Sequence, residues 1–351
     1  MTSRERWRAI LERKPVDRAP CDIWATNEVF EMLCKHFDCG SRWDVIDKLN
    51  IDAPYTANPI YTGPMLSKDC DIWGVKCRDV DYGTGVYHEV AFAPLADIEN
   101  IEDLKNHSWP LADWFDYSHI HQEIDAHSCR PIRAGYIEPF LIYARMRGLE
   151  RAMIDLIDNI ELVEYAFDFI FDFAISQFER ILDVADGQID IAFTAEDLGS
   201  QTGPLFSSQI FRRLHKNRFQ KYIDLAHQAG AYAFFHTDGA CRDFIPELIE
   251  IGVDILNPIQ WVCPGMERTG LKTDFSQSLV FHGGVENQNI LPFGTPEDVR
   301  EEVIQCFETL GANGGYICAP CHNIQPNTPV ENILEMYKTI REIASNAKYI
   351  D

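Results

Sequence analysis

The sequence predicts an α/β fold, a (β/α)8 TIM-type barrel with an elaborated N-terminal half. From residue 131 onward, short apolar segments alternate with helical tracts, a pattern that indicates βα units and a parallel sheet. Eight strand candidates can be counted, which is the number that such a barrel needs. No G-x-G-x-x-G follows any of them, and this disfavours the main alternative, a doubly wound open sheet. We expect one domain over residues 1–351, with an irregular, hairpin-containing insertion at about 61–130.

The strand candidates share short runs of apolar residues that are bounded by turn residues or by helical tracts. They lie at 21–24, 51–55, 131–136, 189–194, 231–235, 253–256, 278–281 and 315–318. The helical tracts lie at about 3–13, 149–184, 207–229, 241–251, 296–310 and 329–345. Between residues 61 and 130, aromatic residues are scattered among Gly, Pro and Asp, which is typical of hairpins and irregular structure.

The composition excludes several classes of function. The chain has 31 Lys and Arg residues against 55 Asp and Glu residues, a net charge of −24. Such a charge repels phosphate backbones and anionic membranes, so we expect binding to neither nucleic acid nor a membrane. The N-terminus is charged and lacks the apolar core of a secretion signal. The 11 cysteines form no disulfide framework, which is typical of a reducing compartment, and we expect a cytoplasmic protein.

Polar and titratable side chains follow six of the strand candidates. They are Tyr136, Glu138, Glu196, Asp197, His236, Asp238, Asn257, Gln260, His282, Glu286, Cys321 and His322. In a barrel of this type the carboxyl ends of the strands form the active site, so we expect these side chains at one rim. Any one of them could instead cap a helix or hydrogen-bond a loop.

The segment His236-x-Asp238 is the best candidate for a metal site. Alternate residues of an extended segment share a face, so both side chains point the same way. Imidazole and carboxylate suit zinc or another divalent ion, and an open coordination position would make the site catalytic. A third ligand could come from Cys321 or His322. Cys318-x-x-Cys321 could instead be a redox pair, and no second C-x-x-C completes a four-cysteine zinc site.

Several motifs together resemble the uroporphyrinogen decarboxylase superfamily. They are Pro15–Pro20 (PVDRAP), Glu196–Gln201 (EDLGSQ), Phe235–Gly239 (FHTDG), Leu256–Gln260 (LNPIQ), Phe281–Gly284 (FHGG) and Pro320–Pro326 (PCHNIQP). The match runs in order from about residue 3 to the last helix, and it implies a distorted (β/α)8 barrel. True uroporphyrinogen decarboxylases continue after the first motif into an arginine-rich stretch that grips the substrate's carboxylates. Residues 21–28 contain no arginine here, which disfavours porphyrinogen decarboxylation.

The other branch of that superfamily is the corrinoid-linked methyltransferases, whose zinc is held by His-x-Cys and a distant Cys. The resemblance places the histidine at His236 and puts Asp238 where the first cysteine would be. The second cysteine falls on His322, with Cys321 beside it. A sulfur-rich shell keeps a zinc-bound thiolate nucleophilic, whereas a nitrogen and oxygen shell leaves zinc a stronger Lewis acid. The substitution therefore favours opening a methyl ether over methylating a thiol.

The resulting hypothesis is a zinc-dependent methyltransferase. It would move a methyl group from a methoxylated substrate, aromatic in the preferred version, to the cob(I)alamin of a separate corrinoid protein, as in O-demethylase systems. The chain has no D-x-H-x-x-G corrinoid signature, so cobalamin would arrive on that partner. The alternative is a metal-dependent decarboxylase or lyase acting on a small carboxylic acid, with Arg133 or Arg145 holding the carboxylate. A non-enzymatic binding module is the third hypothesis, which the density of titratable groups at the strand ends disfavours.

Residue roles follow from this hypothesis. His236, Asp238 and either Cys321 or His322 would bind the metal. Glu196 would be a fourth ligand or the catalytic acid/base. Four further residues are expected to line the substrate pocket: Tyr136, Asn257, Gln260 and His282. A homodimer is one assembly that the sequence allows.

Overall fold

The structure is a computed structural model that describes residues 1–81, 83 and 86–344. Its strands are β1 (Tyr55–Ala57), β2 (Ile60–Tyr61), β3 (Lys76–Asp81), β4 (Val86–Phe92), β5 (Phe115–Asp116), β6 (Ile132–Ala134), β7 (Ile191–Ala195), β8 (Tyr232–His236), β9 (Ile255–Asn257), β10 (Val280–Val285) and β11 (Tyr316–Pro320).

The helices lie between and around these strands. They are α1 (Ser3–Leu11), α2 (Asn27–Phe37), α3 (Arg42–Leu49), α4 (Ile101–Lys105), α5 (Ile120–Ala126), α6 (Pro139–Arg147), α7 (Leu149–Asp158), α8 (Ile160–Ala185), α9 (Ser208–Ile210), α10 (Asn217–Gln228), α11 (Ile245–Glu250), α12 (Arg268–Phe275), α13 (Ile290–Phe293), α14 (Pro296–Thr309) and α15 (Val330–Ala344). Short 3₁₀ segments occupy 112–114 and 242–244, and a π-helical segment at 211–216 joins α9 to α10.

A curled parallel sheet of seven strands forms the centre of the molecule, in the order β1-β6-β7-β8-β9-β10-β11. Its register pairs Ala195 with His236, His236 with Asn257, and Val285 with Pro320. The carboxyl ends of these strands therefore lie along one edge, as the prediction of an α/β fold with parallel strands requires. Most residues of these strands are buried, because helices cover the sheet as they do in βαβ units.

The predicted strand at 21–24 is present as isolated bridges and not as a regular strand. Cys21 bridges Cys318 of β11 in parallel, and Ala25 bridges Ile324 beyond it. On the other side, the Asp52 N–H donates to the Cys21 carbonyl at 2.8 Å. The segment thus contacts residues at both edges of the sheet. Closure into an eight-stranded barrel stays a prediction.

The predicted insertion contains an antiparallel hairpin of β3 and β4, the antiparallel pair β2 and β5, and the helices α4 and α5. The helix predicted at 149–184 is two helices, because the chain bends at Asn159 between α7 and α8. Outside the predicted insertion, helices α2, α3, α6, α12 and α13 were not predicted. The last residue of the predicted C-terminal helix, 345, lies outside the described residues.

The interior of the sheet is filled by a small apolar cluster to which helix α1 contributes. Trp7 is buried there with Phe234, Ile255 and Val280. The Trp7 ring centroid lies 5.7 Å from that of His282. Helix α1 therefore packs against the inner face of the strands, below the edge where the polar residues gather. Within the described part of the chain, no helix has the length and apolar character needed to cross a bilayer.

Candidate metal centre

Three side chains with metal-binding atoms meet at the carboxyl edge of the sheet, and we call them the metal triad: His236, Asp238 and His322. His236 ends β8, Asp238 follows two residues later, and His322 follows β11. One ligand atom from each lies within 4.8 Å of the others. The two imidazole centroids are 5.9 Å apart. Parallel strands thus bring together residues that are more than eighty positions apart in the sequence.

The donor set of the triad suits a divalent ion. His236 Nε2 lies 3.9 Å from Asp238 Oδ1, and His322 Nε2 lies 3.7 Å from Asp238 Oδ2, both too long for hydrogen bonds. Two ligands bound tetrahedrally at about 2.1 Å from one zinc ion are separated by roughly 3.4 Å. Asp238 Oδ1 is buried and has no hydrogen-bond partner among the described residues. An ion between the three side chains would satisfy that oxygen, so the residues fit a metal.

A hydrogen-bond relay behind His236 fixes which of its nitrogens is free. Asp22 Oδ2 lies 3.1 Å from His282 Nε2, so the carboxylate accepts from that N–H. His282 Nδ1 is then an acceptor for the Asn257 Nδ2–H at 2.7 Å, and Asn257 Oδ1 accepts from His236 Nδ1–H at 2.7 Å. The Nε2 lone pair of His236 is therefore directed at the triad. Such outer hydrogen bonds are what orient metal-binding histidines.

Asn257 and His282 are buried members of this relay, which gives them a positioning role. Gln260 lies in the next turn of the chain, where its Oε1 accepts from the Gly239 N–H at 2.6 Å. Tyr136 is half exposed, and its ring stacks on that of Phe193 with centroids 6.1 Å apart. A part for these four residues in substrate binding stays a prediction.

The loop that carries Asp238 is held tightly in place. Asp197 Oδ1 accepts from the Asp238 N–H at 3.0 Å. Gly239 has a φ of +77°, and a Cβ built on it would lie 2.5 Å from the carbonyl oxygen of Ser200. Only glycine fits this conformation and this close approach. The direction of the Asp238 side chain is thus set by its backbone neighbours.

Cys321 does not join the triad. Its Sγ donates to the carbonyl oxygen of Ile259 at 3.2 Å, and burial raises the pKa of the thiol well above its ordinary value. A neutral thiol with a hydrogen-bond acceptor is a poor metal ligand, because the thiolate is the binding form. Of the two candidates for the third ligand, the structure therefore brings His322 to His236 and Asp238.

Glu196 lies away from the triad, in a separate buried pair with His215. Its Oε2 accepts from the Phe140 N–H at 2.8 Å, near the start of α6, and lies 3.1 Å from His215 Nε2. Burial raises the pKa of Glu196 well above its ordinary value and lowers the pKa of His215 to about 3. The carboxyl of Glu196 is not among the atoms that surround the triad, so a fourth-ligand role has no geometric support.

Glu138 is a titratable residue at the rim that the predicted set of catalytic residues omitted. The Tyr136 O–H donates to Glu138 Oε2 at 2.5 Å. Burial raises the pKa of Glu138 to about 7, and the nearby carboxylates of Glu196 and Asp197 add to the rise. A carboxyl group with such a pKa can hold or release a proton at neutral pH. The sequence signal was its position after β6, immediately before the proline that begins α6.

The two arginines proposed to hold a carboxylate differ in their surroundings. Arg145, on α6, forms an ion pair with Asp71 at 3.5 Å and contacts Cys77 Sγ at 3.3 Å. Arg133, on β6, donates from Nε and Nη2 to Thr56 Oγ1 and lines a cavity at the carboxyl edge of the sheet. Of these two arginines, Arg133 is the one that lines this cavity.

Comparisons with known proteins agree with this architecture. The family model described as uroporphyrinogen decarboxylase (URO-D) matches residues 74–343, which is most of the chain. A solved methyltransferase structure from Methanosarcina mazei superposes with a TM-score of 0.70 at 18% sequence identity. That alignment covers 98% of this chain and 99% of the other. The superposition shows a shared fold over the full length.

Two further solved structures show only partial likeness. Dihydropteroate synthase from Anaplasma phagocytophilum is 17% identical with a TM-score of 0.35, over 51% of this chain and 68% of that one. The 3-keto-D-glucoside 4-epimerase from E. coli is 12% identical with a TM-score of 0.37, over 64% and 93%. Both TM-scores are too low to indicate the same fold. A search of curated proteins finds no match.

Proposed function

The chain belongs to the uroporphyrinogen decarboxylase family, and from that premise we propose that it is a zinc-dependent methyltransferase. It would transfer a methyl group from a methoxylated, aromatic compound to the reduced corrinoid of a separate protein. The observation that carries the proposal is the metal triad, with two nitrogens and one carboxylate within 4.8 Å of one another. That donor set favours a Lewis-acidic metal over the sulfur-rich site of a thiol methyltransferase.

The reaction balances with the groups named. The methyl–oxygen bond of the ether breaks, and its electron pair stays on the oxygen. The cobalt(I) of the corrinoid partner supplies the electron pair of the new methyl–cobalt bond. The departing phenolate then takes up one proton to become a phenol. No outside oxidant or reductant is consumed in the transfer, because the corrinoid enters in its reduced form.

The chain's own residues would prepare each of these events. His236, Asp238 and His322 would hold the ion, which when bound would supply Lewis acidity toward the ether oxygen. The relay from Asp22 keeps the His236 lone pair directed at the triad. Glu138, with a pKa of about 7, would carry the proton that the leaving phenolate needs. Burial of the surrounding walls would limit competing water.

The remaining features of the proposal concern assembly. We propose a single domain whose barrel closes through residues 20–26, since that segment hydrogen-bonds both to β11 and to the residues before β1. The corrinoid would reach the triad from the open edge, carried by its own protein. A homodimer is compatible with this arrangement.

Metal analysis combined with a methyl-transfer assay tests the proposal. Purified protein should contain about one divalent ion per chain, and free cob(I)alamin with 4-methoxybenzoate should give methylcobalamin, detected by its absorbance. A chelator should remove both ion and activity, and zinc should restore them. Full activity in chelator, with no ion bound, would contradict the proposal.

A metal-dependent decarboxylase or lyase acting on a small acid is the second candidate, and the family's description favours it. It would use the same triad, with Arg133 as the group that holds the substrate's carboxylate. The two candidates differ in their requirement for a reduced corrinoid. Release of carbon dioxide from a carboxylic acid without any corrinoid would support the second candidate and contradict the first.

A further inference from the structure

A cavity of about 260 Å³ opens beside the metal triad and is lined by two arginines and three aromatic side chains. They are Arg42, Arg133, Trp24, Trp43 and Phe193, and the buried carboxylate of Asp22 also lines the cavity. The volume lies just below the roughly 300–1,000 Å³ that small-molecule sites usually have, so the cavity suits a small ligand. We call it the arginine cavity.

The arginine cavity and the metal triad share a wall. The ring of Trp24 lines the cavity and stacks on the His236 imidazole, with centroids 5.2 Å apart and planes inclined at 30°. Asn323, which follows the triad residue His322, also lines the cavity. No residue of the triad itself lines the cavity, so a ligand that fills the cavity would reach the triad past Trp24.

The two arginines lack the partners that most arginines of this acidic chain have. Within the described residues, neither Arg42 nor Arg133 has a carboxylate oxygen within 4.0 Å. Burial lowers the pKa of Arg133, Asp22 opposes that shift, and the nearby positive charge of Arg42 adds to it. Both groups stay charged, because an arginine does not lose its proton in proteins. Arg133 is partly buried near the exposed cation of Arg42, and the single charge of Asp22 offsets only one of the two cations, so a bound anion would be stabilised there.

The aromatic walls define the rest of the ligand. The Arg133 guanidinium lies 4.9 Å from the centroid of the Phe193 ring, and Phe193 lies 6.2 Å from Trp24. Flat apolar walls beside a cation favour a flat ring with a negative group at one end. A guanidinium pairs best with a planar carboxylate, because its donors match the two oxygens.

From these contacts we infer that Arg42 and Arg133 form a carboxylate subsite, so that the substrate is a methoxylated aromatic acid and not a neutral methoxyarene. This inference rests on the proposed function for the methoxy group, whereas the carboxylate follows from the arginines alone. The carboxylate would bind at the arginines, the ring would lie along Trp24 and Phe193, and the methoxy group would face the triad.

Binding calorimetry with a matched pair of probes tests the subsite without any turnover. Zinc-loaded full-length protein should bind 4-methoxybenzoate at least about 10-fold more tightly than 4-methoxybenzamide, which has the same shape and no charge. Arg133→Gln should weaken binding of the acid by about 10-fold to 100-fold, the usual range for a lost charged hydrogen bond. Binding of the amide should not change.

Two further variants make the test specific. Arg42→Gln changes an exposed residue at the start of α3, so this variant should fold normally even if Arg133→Gln does not. It should weaken binding of 4-methoxybenzoate in the same way as Arg133→Gln. Arg180→Gln removes a surface arginine of α8 that pairs with Asp113, outside the cavity, and should leave acid binding unchanged. Equal binding of acid and amide, or an acid preference that survives both cavity variants, would overturn the inference. Equally tight binding of inorganic phosphate would overturn the assignment to a carboxylate.

The outcomes also separate this inference from the proposed function. Acid preference that depends on the two arginines, without methyl transfer to cob(I)alamin, would support the subsite and contradict the methyltransferase. Methyl transfer from the amide with the same kcat/KM as from the acid would contradict the subsite and leave the methyltransferase standing.

Discussion

Two buried histidines of this protein each lie beside a carboxyl group, yet their surroundings prepare them for opposite tasks. His236 uses Nδ1 in the relay and leaves Nε2 directed at Asp238 and His322. His215 uses Nε2 on Glu196, is fully buried, and packs among aromatic rings, including Phe211 at 5.7 Å. What differs is whether the free nitrogen faces an opening that other ligands share.

The comparison shows that a histidine near a carboxylate is not by itself a functional signal. The pair at His215 holds the beginning of α6 through the Phe140 N–H. The pair at His236 belongs to the candidate metal centre because His322 lies beside it, after another strand, and because Asp238 keeps an oxygen that has no hydrogen-bond partner among the described residues. The predictions below test whether this difference in role is real, beginning with the largest expected effect.

Replacing His236 with Ala should remove the bound ion and lower methyl transfer by about 1000-fold or more, since a Lewis-acidic metal supplies several kcal/mol of transition-state stabilisation. Metal content and methylcobalamin formation measure the two effects. The matched control is His227→Ala, which removes a histidine that pairs with Asp254 on the surface at 2.8 Å. If the His236 variant keeps its ion, the assignment of the triad is wrong.

Replacing Glu138 with Gln should lower activity by about 100-fold, the lower end of the range for a general acid. In the native protein the protonated form is the useful one, so activity should fall as the pH rises through about 7, where Glu138 loses its proton. The variant should lose that part of the pH profile. Metal content, which should be unchanged, serves as the control, and a profile identical to that of the native protein would exclude Glu138 as the acid.

Replacing Asn257 with Ala interrupts the relay between His282 and His236 and should weaken zinc binding by about 10-fold to 100-fold, as outer-shell changes usually do. Competition with a fluorescent zinc chelator measures the affinity. Asn332→Ala is the matched control, because Asn332 is an equally buried asparagine that bonds the carbonyls of Leu291 and Gly294 instead. Equal zinc affinities for the two variants would contradict a positioning role for the relay.

Replacing His215 with Phe should leave zinc affinity unchanged and alter only the acid stability. The folded pKa of about 3 lies below the unfolded value near 6.5, so the unfolded chain binds the extra proton between these pH values. The stability that His215 contributes is present above about pH 6.5 and is lost as the pH falls toward 3. Urea unfolding across that range should be less pH-dependent in the variant. Glu196 is present in both the native protein and the variant, so the difference between them reports on His215. An altered zinc affinity would mean that the Glu196–His215 pair is coupled to the metal triad.

The sequence predicted the C-terminal part of the sheet well because each strand there is a buried apolar run followed by a helix. Strands β6 to β11 overlap their predicted segments. The segment at 21–24 makes only isolated bridges, since its hydrogen bonds go to two different neighbours that no local pattern identifies. Helix α3 was missed although Ser41 and Asp44 form a capping box at its start. The family predicted from the motifs is confirmed by the matched model.

The site was harder to predict because its chemistry depends on contacts across the sheet. Position at the end of a strand was enough to select His236, Asp238 and His322 as candidate metal ligands. It could not decide between Cys321 and His322, because adjacent residues point to opposite sides and only the fold shows which side holds the triad. The raised pKa of Glu138 comes from burial beside residues distant in the sequence. Arg42 could not be predicted as a carboxylate-binding residue, because only the fold places α3 against the cavity.

The relay begins at Asp22, which belongs to the segment that bridges β11, and it ends at a residue of β8. The zinc affinity should therefore depend on whether the segment around Asp22 is docked against the sheet, even though no metal-binding residue lies in that segment. Because metal binding and docking would stabilise each other, free zinc at 100 times its Kd would add about 2.7 kcal/mol to the stability of the docked form. An N-terminal segment that detaches would loosen its hold on the metal, and a metal-loaded protein would resist that detachment. A bound metal would thus stabilise the docking of an N-terminal segment with which it makes no contact.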